Sequence, residues 1–109
     1  MNTLTSAFSA LSDSTRFRIV EQLMDQGETL AGDLVIGSGI SGPAISRHLK
    51  LLRDAGLISA RAVGTKRYYS VRSDGLRAIA DWTLSRREFW ESSLDRLETA
   101  ILLDEDTRT

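Results

Sequence analysis

Apolar residues recur at helical spacing through the first quarter of the chain and predict two helices. The first runs from about Thr3 to Leu11, where an apolar side chain returns every three or four positions. A polar interruption follows, and either Ser12 or Asp13 can cap a second helix that reaches Met24. Two short helices joined by a tight polar break therefore open the fold.

Two more helices are predicted before residue 56, separated by a glycine-rich turn. Thr29 can cap a short helix over residues 30–35, and Gly37-Ser38-Gly39 forms the turn after it. Ser41 can cap the next helix, with Pro43 in its first turn, where the missing N–H costs nothing. Residues 29–56 are thus predicted to form a helix-turn-helix.

A β-hairpin is predicted directly after these helices. Two extended runs, 57–62 and 66–71, are joined by Val63-Gly64-Thr65. β-Branched and aromatic residues on both sides of a glycine turn are typical of a hairpin, and basic residues lie at its tip. We therefore predict a mainly α fold with a small β-hairpin, in which residues 57–72 form a wing.

The last third of the chain is predicted to be one long helix over residues 75–103, followed by a polar tail at 104–109. Such a helix would extend about 40 Å. It carries two apolar stripes, which the compact part of so short a chain cannot cover. We expect a second subunit to cover them, with the long helix and the first helix packing across a two-fold axis. The predicted interface residues are Leu4, Phe8, Leu11, Trp82, Phe89, Trp90, Leu94, Leu97 and Ile101. Alternatively, Trp82 and Phe89 pack on the domain's own core.

Charge is distributed very unevenly along the chain, although the formal net charge is only −1. Between Ile40 and Arg72 there are seven basic residues and one acid, for a net charge of +6. The other residues carry seven basic and fourteen acidic side chains, for −7. Such polarity favours one surface that faces a polyanion over the alternative of an evenly solvated mixed surface.

Length and composition exclude several classes of protein. A chain of 109 residues suits one domain, here residues 1–103. The absence of cysteine excludes disulfides and thiolate metal sites, and a single histidine excludes multi-histidine sites within one chain. No apolar stretch is long enough to span a membrane, and residues 1–6 lack the charge and apolar run of a signal peptide. We therefore expect a cytoplasmic protein.

Helix, turn, helix and then a basic hairpin is the order of a winged helix-turn-helix, which places the second helix of the pair in the DNA major groove. Ser46 and Arg47 lie where they can reach base edges, and arginine is the bidentate partner of guanine. Side chains further along the helix or on the hairpin are expected to contact phosphates instead. The predicted backbone and wing contacts are Thr29, Ser41, His48, Lys50, Arg53, Thr65, Lys66 and Arg67. For His48, packing within the fold is the alternative.

Three runs of the sequence, 10–16 (ALSDSTR), 45–58 (ISRHLKLLRDAGLI) and 67–71 (RYYSV), resemble the ArsR family of bacterial transcriptional repressors. The resemblance covers nearly the whole chain and implies a homodimer that binds an inverted repeat in double-stranded DNA. It also implies that Gly42, Pro43, Ser46 and Arg47 contact bases. Ser14 departs from the family, where proline is usual at the start of the second helix.

The best-known inducers of that family are metals, but the positions of their ligands are occupied by other residues here. Where one familiar site has a cysteine pair, this chain has Asp33-Leu34-Val35-Ile36. The long helix offers Asp81, Glu88 and Glu91 without a histidine, and carboxylates alone would make a weak oxygen-only site. We therefore expect no metal and no cofactor, as in the metal-free branch that the residues from Trp82 to Leu97 resemble.

The sequence as a whole predicts a sequence-specific DNA-binding regulator that represses by occupying a promoter. An alternative is a protein-interaction module on the same fold that sequesters another regulator. An enzyme is not expected, since the chain has no glycine-rich phosphate loop, nucleophile elbow or metal set. The inducer is unknown. Phe8, Trp82, Phe89 or Trp90 could line a small-molecule pocket, with interface packing as the alternative.

Overall fold

The computed structural model describes residues 3–107 of the chain, and its first two helices follow the sequence prediction closely. Helix α1 spans Thr3–Leu11 and α2 spans Ser14–Gln26. Of the two candidate caps, Asp13 is the one used, because its Oδ2 accepts from Thr15 N at 2.9 Å and Arg16 N at 3.1 Å. Gly27 ends α2 with φ 75°, in the left-handed region that favours glycine.

The segment after α2 differs from the prediction. Thr29–Leu30 forms a short strand, β1, and helix α3 spans Ala31–Val35 with Leu30 at its N-cap. The prediction that Thr29 caps this helix was wrong. Thr29 is buried, its backbone lies in the sheet, and its hydroxyl donates to the carbonyl of Gly27 at 2.9 Å.

Helix α4 spans Gly42–Asp54 and begins as the sequence predicts. The Ser41 hydroxyl accepts from Ala44 N at 3.3 Å, and Pro43 lies in the first turn. The turn between α3 and α4 contains Gly37 and Gly39 at φ 75° and 73°, so both glycines meet a backbone requirement. Helices α3 and α4 with the turn between them therefore form a helix-turn-helix, preceded by strand β1.

The wing consists of β2, Ile58–Val63, and β3, Lys66–Val71, which pair antiparallel with Ala60 opposite Tyr69. The sheet has a third member that the sequence did not predict, because β1 also pairs with β3 and gives the order β1-β3-β2. The hairpin is therefore anchored to the helix-turn-helix through backbone hydrogen bonds along β3.

A single hydrophobic core lies under these elements and fixes α4, the second helix of the helix-turn-helix, against the rest of its unit. Each of α1, α2, α3 and α4 contributes buried aliphatic side chains, and the sheet contributes Ile58 and Tyr69. The buried core residues are Ala7, Ala10, Ile19, Val20, Leu23, Leu34, Ile45, Leu49, Leu52, Leu57, Ile58 and Tyr69.

The C-terminal region forms two helices where the sequence predicted one. Helix α5 spans Ser73–Ser85 and α6 spans Arg87–Thr107, with Arg86 in a turn between them. A hydrogen bond from Arg86 N to the carbonyl of Thr83 closes that turn. Residues 104–107, predicted as a polar tail, are the last turn of α6, and residues 108 and 109 lie outside the described part of the chain. The structure comprises two compact units, up to Ile79 and from Ala80 onward, so the single domain over 1–103 stays a prediction.

Gly75 in the first turn of α5 allows a close backbone approach, and its replacement tests the packing of this helix. A Cβ on Gly75 would clash with the Gly56 carbonyl group, so Gly75→Ala requires backbone movement. We expect it to destabilise the fold by about 1–3 kcal/mol, measured as a lower urea unfolding midpoint. Gly32→Ala is the matched control, since it places a methyl in open space within α3. Equal midpoints for the two variants would contradict this packing.

Candidate nucleic-acid interface

The recognition helix α4 presents its polar residues outward because its apolar stripe is fully used by the core. Ile45, Leu49 and Leu52 are buried, at helical spacing along one side. Ser46, Arg47, Lys50 and Arg53 are exposed on the remaining faces. Gly42 and Pro43 form the first turn, in which Gly42 is partly exposed and Pro43 is exposed.

The seven basic side chains between residues 40 and 72 fall into two groups. Three form ion pairs within the protein: Lys50 Nζ with Asp54 at 3.5 Å, Arg61 with Glu28 at 2.6 Å, and Arg72 with Asp74 at 2.7 Å. The other four are exposed and form no ion pair with any side chain of residues 3–105, the side chains that the structure describes: Arg47, Arg53, Lys66 and Arg67. Their charge therefore remains available to an external anion.

Arg61 is exposed, but its charge is already engaged by two neighbours within the protein. Its guanidinium donates to both Glu28 carboxylate oxygens, at 2.6 Å and 3.1 Å, and lies 5.0 Å from the Tyr68 ring centroid. The hydrogen bonds with Arg61 hold the pKa of Glu28 below its ordinary value and raise that of Arg61. The pair joins the wing to the residue just before β1. Sequence analysis did not single out Glu28, because its partner lies 33 residues away.

Two of the residues expected to contact the DNA backbone lie elsewhere in the structure. Thr29 is buried with its hydroxyl bonded internally, so it is removed from the interface. His48 turns toward the N-terminus of α2, and its side chain is only 22% exposed. Its Nδ1 lies 3.3 Å from Arg16 Nη1 and 3.8 Å from Asp13 Oδ2. The remaining wing and cap residues, Ser41 and Thr65, are exposed as the prediction requires.

Asp13 is the negatively charged residue beside His48 and Arg16. Hydrogen bonds from the backbone N–H groups of Arg16 and Thr15, with the charge of the Arg16 side chain, hold the pKa of Asp13 below its ordinary value. Arg16 in turn donates from Nε to the carbonyl oxygen of Ala10 at 2.6 Å. His48, Arg16 and Asp13 thus belong to one polar cluster within the fold.

The residues predicted to form a dimer interface are mostly exposed in the single chain. Leu4 is half-buried, and Leu11 packs against the core of its own unit. The Phe89 and Trp90 rings meet edge to face, with their centroids 5.2 Å apart. The other predicted interface residues have exposed fractions between 40% and 64%: Phe8, Trp82, Phe89, Trp90, Leu94, Leu97 and Ile101.

Metal-binding and membrane-spanning features are absent from the part of the chain that the structure describes. Among the side chains of residues 3–105, no group of three histidine, aspartate or glutamate residues is placed to hold a metal ion. Among the described helices, none combines the length and apolar character needed to cross a bilayer.

Comparison with known proteins agrees with this geometry. Residues 13–60 match the model of the arsR family of bacterial regulatory proteins. The HTH-type transcriptional regulator Rv2034 of Mycobacterium tuberculosis is 41% identical over 88 residues, which cover 81% of this chain and 78% of the relative. The transcriptional repressor SdpR of Bacillus subtilis is 37% identical over 82 residues, which cover 75% of this chain and 90% of the relative.

A solved structure extends the similarity to the fold. The homodimeric winged helix-turn-helix DNA-binding domain Mb0332 of Mycobacterium bovis superimposes with a TM-score of 0.63 at 28% identity. The superposition covers 82% of this chain and 82% of that domain. The family match covers α2, the helix-turn-helix and the first residues of β2, so it includes Arg47 and Arg53 but ends before Lys66 and Arg67.

Proposed function

Since the chain belongs to the arsR family of bacterial regulatory proteins and is a DNA-binding transcriptional regulator, we propose that it represses transcription by binding an inverted-repeat operator as a homodimer. The observation that carries this proposal is that only three of the seven basic side chains between residues 40 and 72 form ion pairs within the protein. Arg47 and Arg53 on the recognition helix, with Lys66 and Arg67 on the wing, are exposed and form no ion pair among the described residues.

These side chains are assigned different roles according to their place. Ser46 and Arg47 lie in the first turns of α4 and read base edges, with Gly42 and Pro43 beside them. Arg53 lies near the end of α4 and contacts a phosphate. Lys66 and Arg67 begin β3 and bind the backbone flanking the groove. Lys50 reaches phosphate only after leaving Asp54, at a small cost for an exposed pair.

The homodimer is supported by the exposed apolar residues of α6. Trp90, Leu94, Leu97 and Ile101 recur at intervals of three or four residues, so they share one side of the helix. A second copy of the chain would bury this side. Two recognition helices would then enter successive major grooves about 10 base pairs apart, which requires an inverted repeat.

Repression and location follow from the same binding mode. A dimer bound tightly over a promoter excludes the polymerase from the same DNA, so occupancy lowers transcription. Its ligand is chromosomal DNA, which places the protein in the bacterial cytoplasm. Binding alone accounts for this role, and no catalysis is part of it.

The proposed wing contact is tested by Lys66→Ala, measured by equilibrium DNA binding at several salt concentrations. We expect the variant to weaken binding to operator and random DNA by the same factor, because a phosphate contact carries no sequence information. The slope of log affinity against log salt should fall by about one. Arg96→Ala removes one positive charge from α6 and serves as the control with an unchanged slope. A loss confined to the operator would contradict the assignment of the wing.

A further inference from the structure

Three helices meet at one cluster of polar side chains beside the recognition helix. Arg16 Nε donates to the Ala10 carbonyl at 2.6 Å, within the last turn of α1, where helix carbonyls lack a helical partner. The same guanidinium places Nη1 3.3 Å from Nδ1 of His48 in α4. Asp13 caps α2 and lies 3.8 Å from the same Nδ1. One imidazole therefore connects α4 to the end of α1 and the start of α2.

We propose that His48 is a positioning residue, which acts through Arg16 and Asp13 to set the angle of α4 so that its neighbour Arg47 reaches a base edge. This inference rests on the proposed function. It also gives His48 a role that differs from the phosphate contact expected from the sequence.

The placement of the imidazole supports positioning over DNA contact. Arg47 is exposed, whereas the next side chain along the helix is only 22% exposed and turns toward Asp13 and Arg16. To bind a DNA phosphate, the His48 imidazole would have to leave both Asp13 and Arg16. The placement also argues against simple apolar packing, because the ring nitrogen contacts two charged side chains.

The imidazole has a hydrogen-bond partner in this cluster. In the neutral form that is unprotonated at Nδ1, this nitrogen accepts a hydrogen bond from Arg16 at 3.3 Å. The Asp13 carboxylate lies 3.8 Å from the same nitrogen. The residues of α1 from Thr3 to Leu11 carry no charged side chain, so Asp13 and Arg16 are the charged groups that join α1 and α2 to the ring.

The attachment to α1 carries a consequence for operator geometry. Because Arg16 contacts the end of α1 and the side of α4 at once, its guanidinium adds a polar link between two helices that also pack through the core. In the proposed homodimer both recognition helices must lie at the same angle to meet two half-sites. A change at His48 should therefore weaken binding to an operator with two half-sites more than it weakens binding to random-sequence DNA.

The test compares His48→Asn with His48→Gln in the full-length protein. The two DNA probes are an operator duplex recovered by selection from a random library and a duplex of random sequence. The asparagine amide oxygen is attached to Cγ, as Nδ1 is, and can accept from Arg16. The glutamine oxygen lies one bond further out. We expect His48→Asn to bind the operator within about threefold of wild type and His48→Gln to lose about tenfold, with random-DNA affinity and salt slope unchanged for both. Unfolding midpoints measured for both variants confirm that each is folded.

A second comparison links His48 to Arg16. Arg16→Gln should weaken operator binding as His48→Gln does, and the double variant should lose no more than either single one, because both act through one contact. Equal operator affinity for His48→Asn and His48→Gln would overturn the proposal. So would a parallel loss on random DNA with a lower salt slope, which would show a phosphate contact. Failure of the wild type to prefer any duplex would instead overturn the proposed function, and the positioning role with it.

Discussion

Replacing Arg47 with alanine is expected to weaken operator binding by about 1–3 kcal/mol while leaving the affinity for random DNA nearly unchanged. Arg47 is exposed near the start of α4 and forms no ion pair with another described residue, so its five N–H donors are available to a partner. A bidentate contact to guanine O6 and N7 exists only where the operator places a guanine. The loss should therefore depend on sequence, and binding assays with operator and shuffled duplexes measure it.

Arg53→Ala is the matched control for that experiment. It removes the same side chain from the same helix, two turns toward the C-terminus, where the helix end carries the residue past the base edges. We expect operator and shuffled duplex to lose affinity by equal factors, with a smaller salt slope. A uniform loss for Arg47→Ala as well would remove Arg47 from base readout.

Replacing Leu94 with aspartate is expected to produce a monomer and to lower operator affinity by about 100-fold. Leu94 lies on the apolar side of α6 with Trp90, Leu97 and Ile101, and its side chain is 64% exposed in the single chain. A carboxylate there would have to be buried between two subunits without a partner. Loss of the dimer also removes the gain in affinity from binding two linked half-sites. Light scattering reports the mass, and operator titration reports the affinity.

Thr99→Asp introduces the same charge on the opposite side of α6, five residues along the helix. We expect this variant to remain dimeric and to bind the operator as the wild type does. A dimeric Leu94→Asp protein would show that another surface joins the subunits. A monomeric Thr99→Asp protein would show that charge on α6, and not the apolar side, decides assembly.

Local sequence signals predicted most of the elements well. Helix α1 begins and ends where its apolar spacing indicated, and the Ser41 cap with Pro43 in the first turn indicated the start of α4. Strand β2 begins and ends one residue later than predicted, and strand β3 begins and ends at the predicted residues. These features depend on residues a few positions apart, which is why the sequence is sufficient for them.

Features that depend on distant partners were missed. Threonine is a residue type that often caps helices, but the Thr29 backbone pairs with Tyr69, forty residues later, and belongs to strand β1. Arg61 counts as a free basic residue until Glu28 is placed beside it. The turn at Arg86 interrupts a stretch whose apolar spacing is otherwise helical, and no glycine or proline marks it.

His48 shows the same limit within the candidate site. Its neighbours in sequence, Arg47 and Leu49, offer the ring no partner, so the sequence predicted a contact with the DNA backbone. The direction of the ring was decided by Arg16 and Asp13, which come from the junction of α1 and α2. Sequence analysis identified that junction as a helix start but had no means of placing it against α4.

Selection of bound sequences from a random duplex library, repeated at low and high salt, tests the central claim most directly. The account predicts recovery of an inverted repeat whose half-sites lie about 10 base pairs apart, with affinity that falls steeply as salt rises. Recovery of no preferred sequence, or of DNA binding indifferent to salt, would contradict it and would favour a partner-binding role for this fold.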